Sequence, residues 1–206
     1  MRNVLLLTAT LSGAALGVGT PASAQDDVSG CWVRDNTTLE EAVQRSSPLR
    51  ATTLTIGGQE AKLCYGSPSA RERTVMGELV PMDEIWRLGA NEATAIHLPF
   101  AAQVGGVDLE AGVYSIYAIP GAEEWEFVLS SHYERWGIPV NDEVRSAEVG
   151  RFTRSVEASD GMVESLTFRW DSHGEAMGHL VMEWEHTRVE IPVHGADPHG
   201  GGHAAH

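Results

Sequence analysis

Thr52–Tyr65 reads TTLTIGGQEAKLCY, and its spacing decides the fold. Leu54 and Ile56 alternate with Thr53 and Thr55. A period of two places alternate side chains on opposite faces of a strand, so one face is apolar and the other polar. Gly57-Gly58 marks a turn, and Ala61 to Tyr65 returns as a second strand. The same signal recurs downstream at Thr94 to Leu98, Ala101 to Val104, Val107 to Leu109 and Val113 to Ile119. Gly105-Gly106 makes a tight turn between two of these. Tyr114 and Ile116 fall on one face of their strand, with Ser115 and Tyr117 on the other. Trp125, Phe127 and Leu129 share a face of the next. Strands resume at Arg151 to Glu157, Val163 to Trp170, Met177 to Glu185 and Arg188 to Val193. In the last, Val189, Ile191 and Val193 point in while Arg188 and Glu190 point out.

About ten short strands with frequent turn signals predict a mainly β fold, an antiparallel β-sandwich or jelly roll. One short N-terminal helix is expected over Asp35 to Ser46, with Asn36 or Thr38 as cap and Glu40 and Glu41 in its first turn. Ser130 to Glu148 reads as a long irregular excursion containing Tyr133 and Trp136. The organisation expected is a signal peptide over residues 1–24, an arm with the helix over 25–50, the sandwich over 51–194 and a His-rich tail over 195–206.

The signal peptide is read from Arg2, the apolar run Val4 to Val18, and the small residues of Pro21-Ala22-Ser23-Ala24 before Gln25. It predicts a periplasmic or secreted protein. The apolar run is too short to span a bilayer comfortably, and no later stretch is long enough. With 29 acidic against 14 basic residues the formal net charge is −15. That balance argues against a nucleic-acid partner, which needs a basic footprint. In an oxidising compartment Cys31 and Cys64 suggest one disulfide. Two separate thiols, or lipidation of Cys31 within Val28-Ser29-Gly30-Cys31, are the other readings.

The segment Tyr65 to Thr94 interrupts the sheet pattern with YGSPSARERTVMGELVPMDEIWRLGANEAT. Polar loops on rigid scaffolds are frequent sites of binding and catalysis. Three readings apply. In a structural one, Trp86 anchors the segment, Arg87 pairs with Glu92, and Asn91 caps backbone amides. In a binding one, Arg71, Arg73, Arg87 and Asn91 face a pocket with Tyr65, Ser67 and Trp136, suited to a small polar ligand, anionic or sugar-like. In a catalytic one, Glu92 is the acid or base of an extracytoplasmic hydrolase, with Asp83 or Glu84 as the candidate second carboxylate. A purely structural envelope protein is a further alternative. No nucleophile elbow or zinc-protease motif is present, and no cofactor is expected. His199, His203 and His206 of the tail are at most loose divalent-metal ligands. His97, between Ile96 and Leu98, is expected to be partly exposed. Oligomeric state is not legible.

Several linked motifs carry a family resemblance. They are Tyr65-Gly66-Ser67-Pro68-Ser69-Ala70-Arg71, Leu79-Val80-Pro81, Trp86-Arg87 and Gly89-Ala90-Asn91-Glu92-Ala93-Thr94. The match continues through Val104-Gly105-Gly106, Ala111-Gly112-Val113-Tyr114-Ser115, Ile119-Pro120-Gly121, Trp125 and Trp136-Gly137. Together they resemble the secreted bacterial family known as domain of unknown function twenty-nine-eleven, over roughly Leu54 to Val193. The resemblance implies export and a compact, mostly β fold, with no settled activity. Glu72 and Met82-Asp83 depart from its pattern, which puts in doubt any stacking contact at Met82.

Overall fold

The computed structural model describes residues 27–196. The signal peptide and the tail histidines His199, His203 and His206 lie outside the described residues. The short helix α1 covers Leu39–Val43 and is followed by β1 (Leu49–Ile56), β2 (Gln59–Gly66), β3 (Ala95–Leu98), β4 (Ala102–Val104) and β5 (Val107–Leu109). Then come β6 (Gly112–Pro120), β7 (Glu124–Ser130), a second short helix α2 (Asp142–Ser146), β8 (Glu148–Ser155), β9 (Glu157–Ser172) and β10 (Met177–Gly195). Six strands form one antiparallel sheet in the order β1-β2-β3-β6-β7-β8, and four form another in the order β5-β4-β10-β9. The sandwich is therefore as expected from the period-two alternation.

The alternation of Leu54 and Ile56 with threonines buries the former and exposes Thr53 and Thr55. The glycine turn sets β1 against β2 with Ile56 opposite Gln59 and Ala51 opposite Cys64. Between the sheets lie Leu63, Ile96, Ile116, Trp125, Phe127, Leu166, Leu180, Val189 and Ile191, all buried. Each such side chain stabilises the fold by roughly 1.5–3 kcal/mol relative to exposure. Tyr117, on the opposite face of β6 from Ile116, packs instead with Val128 and with Val144 of α2. The six-stranded sheet is thus covered on its outer face at β6 and β7 by part of the Ser130–Glu148 excursion.

Four local features differ from the expectation. The helix spans only Leu39–Val43, because Thr38 caps it with a reciprocal Glu41 contact and Asn36 is left-handed at φ 63°. The excursion holds α2, capped by the Asn141 side chain, which accepts from the Val144 N–H. Met177 to Glu185 and Arg188 to Val193 are one strand of 19 residues. Its pairing with β9 shifts register on either side of Glu185, whose φ of 56° accommodates a bulge where a turn was expected. β1 begins at Leu49 and β10 runs to Gly195, one residue past each expected sandwich boundary or more.

Cys31 and Cys64 are joined by a disulfide. It pins the N-terminal arm to β2, next to Leu49, Ala51 and Ala42. The Cys31 sulfur is therefore bonded within the chain. Among the described residues no helix is long and apolar enough to cross a membrane.

Candidate functional site

The polar segment is built into both sheets. Its start extends β2 toward β9: the Ala70 N–H donates to Glu164 O, and the Leu166 N–H donates to Pro68 O. Its middle pairs with β6 through reciprocal backbone bonds between Trp86 and Ala118. Its end is tied back by the Thr94 hydroxyl, which donates to Leu88 O. Gly66 permits the closure, since a Cβ there would lie 2.0 Å from Ala90 O. Arg71, Glu72, Asp83, Leu88 and Asn91 all adopt positive φ, at 51–65°. Backbone strain of this kind concentrates at functional sites and persists only where the surroundings enforce it. Leu88, fully buried, follows Arg87 directly.

Trp86 anchors the segment as expected. It stacks on Trp184 at 6.1 Å between centroids and meets Trp125 edge-on at 5.8 Å. Arg87, the next residue, lines a cleft of about 360 Å³ together with Arg73, Ser47, Pro68, Leu79 and Ile138. Pro81, Ile85, Trp86 and Trp184 complete its apolar walls. The Arg87 Nε donates to Gly89 O at 3.1 Å. Among the described residues it has no ion pair, and burial pushes its guanidinium below the usual arginine range. Arg73 donates to Ala70 O and Ser69 O and likewise has no carboxylate partner among the described residues.

The remaining candidates lie elsewhere. Tyr65 is a core residue whose hydroxyl accepts from the Phe168 N–H and whose ring meets Phe168 edge-on, and it does not line the Arg87 cleft. The Ser67 hydroxyl is buried and donates to Leu166 O. Arg71 is exposed, donates to Ser46 O, and does not line the cleft. Asn91 donates through Nδ2 to Ser47 O, so its side chain binds a carbonyl where amide capping was expected. Met82 does not reach the lining either, whereas its neighbour Pro81 does.

Glu92 does not pair with Arg87. Its two oxygens lie 2.9 Å and 2.7 Å from Arg45 Nη1, and it accepts from the Arg34 N–H at 3.3 Å. Trp136 belongs to this second cluster, with the guanidinium groups of Arg34 and Arg45 at 5.5 Å and 5.9 Å from its ring. The expected single cluster is therefore two: Arg73 and Arg87 at the cleft, Glu92 and Trp136 under the arm. Asp83 and Glu84 are exposed. His97 is half-buried, its Nε2 has no hydrogen-bond partner among the described residues, and burial with nearby Lys62 pushes its pKa down. Among the described residues no group of three or more acidic, His or Cys side chains is placed to hold a metal ion.

A family model described as "Protein of unknown function (DUF2911)" matches residues 47–193. The chain belongs to this family. The match begins after Arg45, so the DUF2911 region supplies Glu92 and Trp136 while the preceding arm supplies their cations and Cys31. Both cleft arginines, Ser47, Ile138 and Trp184 fall inside the match. No curated protein and no solved structure matches the chain.

Proposed function

We propose that this DUF2911 protein is an exported binding module that holds a small anionic ligand in the Arg73/Arg87 cleft. The observation that carries the reading is the half-buried Arg87 guanidinium, which makes no ion pair among the described residues in a chain of net charge −15. Desolvating a charge without a partner is costly, and an incoming anion offsets that cost. A cleft of this size sits at the small end of the roughly 300–1,000 Å³ range for small-molecule sites. A hollow of about 470 Å³ at the open end of the β4–β5 hairpin and the end of β10 carries Asp108 and Glu110, whose charge disfavours an anion there. The Cys31–Cys64 disulfide and the signal-peptide pattern support placement outside the reducing cytoplasm.

Thermal shift against a panel of carboxylates, phosphate and sugar acids tests the binding. Stabilisation by an anion in the wild type that vanishes in Arg87→Met and shrinks in Arg73→Gln supports it. A panel that stabilises nothing, together with a constant partner protein in a pull-down, favours a structural envelope role. Amino-terminal sequencing of the exported product tests the localisation, with Gln25 expected first.

The hydrolase reading through Glu92 gains no specific observation. The Glu92 side chain is 5% exposed, and Arg45 engages both of its oxygens.

A further inference from the structure

The chemistry of the cleft narrows its ligand beyond charge, on the reading that Arg73 and Arg87 bind an anion. We infer that the ligand is an organic acid with an apolar, ring-bearing or branched body, and not a sugar acid or a bare inorganic anion. Among the described residues the lining contains no Asp, Glu, Asn, Gln or His. Its polar side chains are two guanidinium groups, which only donate, and Ser47. The carbonyls of Ser47 and Gly89 already accept from Asn91 and Arg87. A polyol would bring hydroxyl hydrogens with few acceptors to receive them, and a buried unpaired donor is costly.

The walls point the same way. Pro68, Leu79, Pro81 and Ile85 line the cleft together with the guanidinium groups and with Trp86 and Trp184. Ile138 at this cleft is 51% exposed, one of few large apolar side chains left open on the described surface. An apolar body seated in the cleft removes that surface from water, at roughly 25 cal/mol per Å². Inorganic phosphate satisfies the arginines and leaves it exposed. The site therefore has a cationic end and an open side carrying apolar side chains, matching a carboxylate attached to a hydrophobic group.

Calorimetric titration of the full mature chain with phenylacetate, phenylacetamide, glucuronate and inorganic phosphate tests this. The expected result is that phenylacetate binds at least about tenfold more tightly than each of the other three, reflecting a charge-assisted pair plus apolar burial. Arg87→Met and, independently, the exposed-site variant Arg73→Gln weaken phenylacetate and leave phenylacetamide unchanged. Ile138→Ser weakens phenylacetate without affecting phosphate. If glucuronate or phosphate binds as tightly as phenylacetate and depends on Arg87, the apolar body is wrong and anion binding stands. If no probe binds, or if binding ignores both arginine substitutions, both readings fall. Should Arg87→Met fail to fold, the Arg73→Gln and Ile138→Ser results decide by the same criteria.

Discussion

Arg45 Nη1 lies 2.9 Å and 2.7 Å from the two carboxylate oxygens of Glu92, although 47 positions separate the residues. The contact fastens the N-terminal arm onto the DUF2911 region beside Trp136. Removing Arg45 leaves a nearly buried carboxylate with the Arg34 N–H as its remaining partner. Arg45→Met should cost about 3 kcal/mol, the lower end for a broken buried pair because Arg45 is 23% exposed. For a domain of this size that lowers Tm by roughly 6–12 °C. Scanning calorimetry of wild type, Arg45→Met and Arg45→Lys checks it. An unchanged Tm in Arg45→Met would show that the pair contributes nothing.

The disulfide acts on the same arm. Its cysteines are 33 positions apart, and closing such a loop stabilises by roughly 4 kcal/mol in the chain-entropy model. Reduction, or the double change Cys31→Ser/Cys64→Ser, should lower Tm and open the arm to proteases near Gly30 before the sandwich is cut. Limited proteolysis with mass spectrometry, run with and without reductant, reads both effects. Equal cleavage patterns would remove the disulfide from the account.

Gly66→Ala should be among the most damaging single changes. A Cβ would sit 2.0 Å from Ala90 O and 2.7 Å from its carbonyl carbon, and both are backbone atoms held by the Ala90–Gly66 hydrogen bond. Neither partner can swing aside as a side chain tip would. The expected cost is at least about 3 kcal/mol, seen as a lower urea midpoint with an unchanged slope. Gly106→Ala provides the comparison. Its φ of 94° imposes strain, but nothing lies within 4 Å of the added carbon, so a smaller loss is expected.

His97 gives the fold a pH dependence. Burial, then the charge of Lys62, holds its folded pKa below the ordinary histidine value of 6.5, and the ring of Tyr133 packs beside it. The unfolded chain therefore takes up a proton that the folded state resists. The contribution is fully present above pH ~6.5 and is lost as the medium is acidified below it. His97→Gln should flatten the fall in Tm between pH 7 and pH 5, other groups being common to both proteins. An identical slope in the variant would exclude His97 as the source.

The strands were legible because one face of each is buried. Val189, Ile191 and Val193 are fully buried, as their alternation required, while Arg188 and Glu190 form outward ion pairs. The union of that strand with Met177 to Glu185 was not legible. A bulge at Glu185 and a turn present the same polar interruption, and only pairing with β9 separates them. Helix α2 had a readable signal in Asn141 followed by Asp142 and Glu143, hidden within a stretch rich in other polar residues. At the site, Arg73 and Arg87 were identified from composition. Trp184, Ile138 and Ser47 reach the cleft from distant parts of the chain, and local spacing carries no trace of them. The same limit explains Glu92: its nearest arginine in sequence was chosen, and tertiary packing delivers a remote one.

β10 comes last among the described strands, yet it occupies an interior position, bonded to β4 on one side and β9 on the other. Whatever threads or synthesises this polypeptide from its amino terminus leaves β4–β5 and β9 without a shared neighbour until residues 177–195 have emerged. The four-stranded half of the sandwich is thus withheld to the end, which makes early termination far more harmful than a clipped surface loop.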